Sequence, residues 1–232
     1  MMAAGGPVRG WALPLHGARV LDLSVDSARL RVVPLAAGAE ARLEVAGRDA
    51  GLVEPRITPP SGAARLSVDL RPAAAPPAGY WEMDVVAHVP PGIELMVDMQ
   101  GGAVEIAEMD LPAVTIHMLA GQVRLSDVGT RLTVSTSAGQ VIGRGLWGSL
   151  DVSTAAGQID LDIVGLEAGR HVVQSEAGAI RLGVRPGLAV HVDAHVGVGV
   201  VLGAVPSAPD AAAQLRVQSQ AGTVQLETAP TA

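Results

Sequence analysis

Three side chains at alternate positions, His191, Asp193 and His195, are of types and spacing that could do chemistry together. Two imidazoles flanking a carboxylate are the donor types of a three-ligand metal site. The same alternation puts Val190, Val192, Ala194 and Val196 on the opposite side of the segment. The three polar groups therefore project almost in parallel from one flat wall, with nothing evident behind them to orient a ligand set. A solvated outer face is expected there, with a metal site as the alternative.

Other candidate chemistry is weaker in context. Gly143-Arg-Gly-Leu-Trp-Gly148 has the glycine spacing of a dinucleotide fingerprint. That fingerprint works only where a helix N-terminus follows to meet a pyrophosphate, and here the next residues re-enter an alternating strand pattern. His171 stands at a position held elsewhere by Leu or Val, which predicts a packed neutral imidazole. Trp147 is expected exposed or packed at a corner, where a lone aromatic could anchor a partner. The acids fall on outward strand positions, and no nucleophile, base and acid combination emerges from their spacing. The expectation is a chain with no enzymatic activity and no cofactor.

Composition narrows the partners. The 232 residues are 49% hydrophobic, enough for a substantial core, yet contain no Phe, one Tyr and three Trp. A core built from Val, Leu, Ile and Ala must be thin, because bulky rings are what fill wide interiors. Cysteine is absent, which excludes disulfides and thiolate metal sites. The formal charge is −7, and the sixteen basic residues are all scattered Arg. A nucleic-acid partner needs clustered positive charge, so none is expected. No secretion signal or membrane-length apolar run is visible, and a cytoplasmic location without direct membrane insertion is the expectation.

The elements that must position these residues announce themselves by repetition. Ser137-Ala-Gly-Gln-Val141 is nearly rewritten at Ala155-Ala-Gly-Gln-Ile159. Seven ungapped octapeptides end at Gly102, Gly121, Gly139, Gly157, Gly178, Gly197 and Gly222, spaced by 19, 18, 18, 21, 19 and 25 residues. Their third position is always β-branched (Val97, Ile116, Val134, Val152, Val173, Val192, Val217) and their fourth always polar. Period-two alternation means a strand with one buried face. A second short strand follows each glycine, and a third apolar column falls seven residues beyond it, at Met109, Val128, Leu146 and Val164.

Three short inward-facing sides per repeat, with a glycine corner each time, predict an all-β, single-stranded parallel β-solenoid (β-helix) of about seven coils. The glycine suits a corner with positive φ or an approach too close for a Cβ. Stacking at about 4.8 Å would turn like positions into ladders: an amide row of Gln122, Gln140 and Gln158, and a hydroxyl row of Ser135 and Ser153. A flat array of hairpins would want Asn-Gly type turns, which the corners lack. Helical repeats are excluded by the period of two.

Residues 1–89 carry alternating runs without the octapeptide and are expected to form a β-sandwich-like lobe or degenerate capping coils. The regular solenoid is expected over 90–226, entered through Val89-Pro-Pro-Gly-Ile93, with a short tail at 227–232. That tail is too short to cover a coil, so Val224 and Leu226 mark the expected open assembly edge. The insertion Gly203 to Ala213 is read either as folding over that end or as a loose loop.

Val89-Pro-Pro-Gly-Ile-Glu-Leu95, followed by serial copies of Val-Ser-Thr-x-Ala-Gly-Gln-Val-x-Leu and Leu-x-x-Val-Gly, resembles a bacterial β-strand-repeat family of unassigned function, often labelled adhesin-like. The resemblance is specific from Val85 to Leu226 and implies a β-solenoid, right-handed by analogy. Some relatives sit at membranes and are linked to envelope-stress signalling; the more distant bactofilins polymerise. This chain lacks a spanning segment, and the family has no catalytic motif to transfer. Two functions are thus expected to compete: a structural protein that self-associates through coil ends or faces, and a binding module for a peptide, glycan or envelope component.

Overall fold

The computed structural model describes residues 8–36, 38–59, 64–72 and 83–229. The connection Arg71 to Gly79 lies outside them from residue 73 onward, as do the residues before Val8 and the end of the tail beyond Ala229. Apart from a short 3-10 turn at Ala50–Leu52, every regular element among the described residues is a strand. They are β1 (Arg9–Ala12), β2 (Val20–Pro34), β3 (Arg42–Ala46), β4 (Arg56–Thr58), β5 (Arg65–Asp69), β6 (Asp84–Val89), β7 (Glu94–Ile163), β8 (Gly169–Val184), β9 (His191–Gly203) and β10 (Ala213–Thr228). No helix among the described residues is long and apolar enough to cross a membrane.

All strands join one sheet in the order β1-β3-β6-β2-β7-β8-β10-β9, with β5 beside β2 and β4 beside β5. From β2 to β9 the pairing is parallel. It is antiparallel for β1 on β3, β3 on β6 and β4 on β5. The sheet is therefore mixed rather than purely parallel, and its antiparallel pairs all lie before residue 90, where a β-sandwich-like lobe or degenerate coils were expected.

The 70 residues of β7 fold back on themselves layer by layer. A Cβ built on Gly121 would overlap the carbonyl oxygen of Gly102, one on Gly139 that of Gly121, and one on Gly157 that of Gly139. The column continues through Gly178, Gly222 and Gly199. Both anticipated reasons for glycine hold at once: Gly139 has φ +146° and no room for a side chain.

Side chains two residues past each corner form an inward column. Leu30, Val104, Val123, Val141, Ile159, Ile180 and Val224 are each 0–1% exposed. Most of the buried core is Leu, Val, Ile and Met, and no Trp is fully buried among the described residues.

Three placements depart from the sequence reading. First, β2 is an eighth copy: Leu21 pairs with Leu95, Ala28 with Gly102 and Val32 with Ile106. Ala28 in the glycine position, and the long detour between β2 and β7, hid it. β2 lies before residue 89 and pairs with β7 beyond it. β5 and β6 lie on the far side of β2, and Val89-Pro-Pro-Gly-Ile93 carries the chain across to its near side. β3, β1 and β4 then close that end with antiparallel strands.

Second, β10 lies between β8 and β9. The last strand in sequence is thus interior, and β9 is outermost. Third, the corner of β9 is Gly199, which pairs with Gly222 and has φ +139°. Gly197 is not a corner. The copy runs from Val192 to Gly199, two residues later than read from the sequence, and an even shift leaves the faces unchanged.

Candidate functional site

Stacking places like residues above one another, so candidate sites are columns rather than pockets. The amide row forms as expected: Gln122 Nε2 donates to Gln140 Oε1 at 2.7 Å, and Gln140 Nε2 to Gln158 Oε1 at 3.4 Å. The hydroxyl row does not form where predicted, because Ser153 Oγ donates instead to the Val134 carbonyl at 3.4 Å. The close hydroxyl pair lies one position later on the inner face, where Thr136 and Thr154 Oγ1 are 2.9 Å apart and buried. Ser175 and Ser219 extend that inner column, and neither hydroxyl has a partner among the described residues.

Beside this column a shallow polar groove runs across the layers. One concavity is lined by Asp98, His117 and Ser135, a second by Ser153, Gln174 and Gln218. Both include Ser135 and Ser137, which joins them into one track.

An ionic cluster occupies another outer wall. Arg144 meets Asp160 at 2.6 Å and Asp162 at 3.2 Å, while Arg181 meets the same acids at 2.6 and 3.1 Å. Arg181 also pairs with Glu227. These contacts staple β7, β8 and β10 together. Partial burial disfavours the charge on Asp160, but hydrogen bonds from Arg144 and Arg181 outweigh it and hold the carboxyl below its usual range.

His171 is 1% exposed, as predicted for a packed imidazole. Its Nδ1 accepts from the Leu150 amide at 3.2 Å, and its Nε2 lies 2.9 Å from the Glu167 carbonyl. This pair of bonds requires the neutral Nε2–H tautomer. Strand pairing between β7 and β8 begins one residue later, at Asp151 with Val172, so the ring takes the amide that the ladder leaves over.

The structure does not assemble His191, Asp193 and His195. Asp193 faces Arg216 at 3.6 Å, His191 Nδ1 faces Ser207 Oγ at 3.4 Å, and His195 lines the end of the polar groove. No group of three metal-ligating residues occurs among the described residues. Strand β7 continues through Gly143 to Gly148, bending at Gly145 and Gly148, and no helix follows. Trp147 is 44% exposed and packs against Gly129, where a Cβ would overlap the indole.

The predicted assembly edge moves. Val224 and Leu226 are 0% and 8% exposed because β10 is covered on both sides. The open edge belongs to β9. The insertion does fold over part of it: the Val192 amide donates to Ser207 Oγ at 3.0 Å, and the Ala208 amide to the Val190 carbonyl at 2.9 Å.

Beyond that clasp, among the described residues, β9 pairs with β10 alone. Val201, the next member of the inward column after Val224, is 42% exposed, and Val198, Val200 and Leu202 are 74%, 50% and 50% exposed. Val196 to Pro209 contains no charge. The sequence carries a signal for this edge in Val196-Gly-Val-Gly-Val-Val-Leu202, apolar at both parities, as expected of a strand not facing water on one side only.

No protein-family model matches the chain, and no curated protein is similar to it in sequence. Among solved structures it is similar to a candidate cell adhesion protein from Clostridium sporogenes, with 13% identity and a TM-score of 0.46 over 97% of this chain and 100% of that one. It is also similar to a candidate adhesin from Bacteroides fragilis, with 12% identity and a TM-score of 0.37 over 97% of this chain and 98% of that one.

Proposed function

We propose that the chain is a non-enzymatic structural protein, a β-solenoid closed at one end and built to join a second protein molecule at the other. The observation that carries this reading is the contrast within one column: Val224 is 0% exposed, whereas Val201, its neighbour one layer out, is 42% exposed. An open parallel edge bearing unpaired backbone groups and uncovered apolar side chains is a template for further strand pairing. Each Val or Leu withdrawn from water there would contribute on the order of 1 kcal/mol or more. The partner in this reading is another copy of the chain, and the net charge of −7 argues against nucleic acid.

Light scattering coupled to size-exclusion chromatography over a concentration series tests it. A mass above one chain that rises with concentration is expected. A single-chain mass at the highest soluble concentration would defeat the proposal.

The continuous polar groove favours a second reading, a binding module for an extended polar ligand such as a glycan. Its columns repeat at the layer spacing of about 4.8 Å, which suits a linear polymer. A glycan array returning specific ligands, with binding abolished by Ser135→Trp in the shared part of the groove, is the result expected under that reading.

A further inference from the structure

We infer that the β9 end closes on the β9 end of a second copy about a two-fold axis, so that assembly stops at two chains. This rests on the self-association reading above and adds its geometry. An endless head-to-tail stack would need the far end to offer a mate for the 13 residues of β9. The far end is instead made of β1, four residues long and carrying Arg9, and β4, three residues long and carrying Arg56. β4 runs antiparallel to its neighbour, so among the described residues no long parallel edge is presented there.

The β9 edge, by contrast, is compatible with itself. Two copies related by a two-fold axis bring their edges together antiparallel, which any open edge can accept. Self-pairing sets like against like, and a charged edge would resist it; Val196 to Pro209 holds no charge. The Ser207 and Ala208 clasp occupies the start of the strand, so contact is confined to the exposed stretch around Val198, Val200 and Val201. That contact would cover the open end of the inward column in both copies simultaneously.

The test uses the full chain, Val198→Arg and Val200→Arg, with far-UV circular dichroism to verify folding. Both positions are at least half exposed, so the variants are expected to fold. The expected result is a two-chain mass that does not grow further with concentration, single-chain variants, and no complex when either variant is mixed with the parent chain. Larger species or filaments would overturn the two-fold inference while leaving self-association standing. A folded variant that still dimerises, or that binds the parent one to one, would also overturn it, the latter by revealing a head-to-tail contact. A parent chain that is single throughout would remove both this inference and the reading beneath it.

Discussion

Gly199 rests on the carbonyl of Gly222, so the glycine that comes earlier in the chain is the outer one. The connection from β9 to β10 returns the chain inward, and the last strand completes the ladder on both its sides. Ending the chain at Ala212 should therefore leave β9 with no strand partner at all. Hydrogen exchange should show the amides of 191–203 losing protection along with those of the neighbouring face of β8; retained protection in β9 would contradict the strand order.

The same order separates two arginine substitutions in adjacent layers. Val224→Arg places a charge in a fully buried column and should cost several kcal/mol or prevent folding. Val200→Arg, on a half-exposed residue, should change stability by about 0.5 kcal/mol or less in the single chain. Urea denaturation of the two variants at one low concentration measures the contrast.

Glycines with positive φ differ in what surrounds them. Gly139→Ala meets both a positive φ and the Gly121 carbonyl, and should cost more than about 3 kcal/mol. Gly187 has φ +81° with nothing within 4 Å of an added Cβ, so Gly187→Ala should cost only about 1 kcal/mol. Equal losses in chemical denaturation would mean that the close approach contributes nothing.

The Arg181 cluster gives a pH signature. Asp160 titrates lower in the folded chain than in the unfolded one, because the hydrogen bonds from Arg144 and Arg181 exceed the opposing effect of burial. Its stabilisation is then fully present above the unfolded carboxylate value of about 3.9 and is lost as pH falls through the lower folded value. Arg181→Met should lower the denaturation midpoint at neutral pH, and the difference from the parent should shrink on acidification. A difference that is independent of pH would assign the effect to packing.

His171 holds the amide that Leu150 cannot give to the ladder. His171→Leu restores the residue type of Leu132 and Leu150 in the same column, yet should cost about 1–3 kcal/mol, since it buries an unpaired donor. A neutral or stabilising result in thermal unfolding would show that the amide finds another partner.

Much of the architecture was legible because it is local. Alternation at Val134, Thr136 and Leu132 marks an inward face, and the glycine column and the amide row of Gln122, Gln140 and Gln158 follow from repeating one corner. The eighth copy at Leu21 to Ala28 escaped because its corner residue is Ala and its neighbour in space, β7, begins far along the chain. The ionic cluster was invisible for a similar reason, since Arg181 and Glu227 become neighbours only through the placement of β10.

The sequence by itself determined what a layer is: which side chains turn inward, where it bends, and that its backbone must pair with other layers. Only the tertiary structure decided the order of the layers, and with it that Val201 rather than Val224 lies at the open end. The physical reason is that nearly identical layers fit one another almost equally well. Their sequence of stacking is settled by the lengths of the connections and by which ends can be covered, neither of which leaves a mark on the repeated residues.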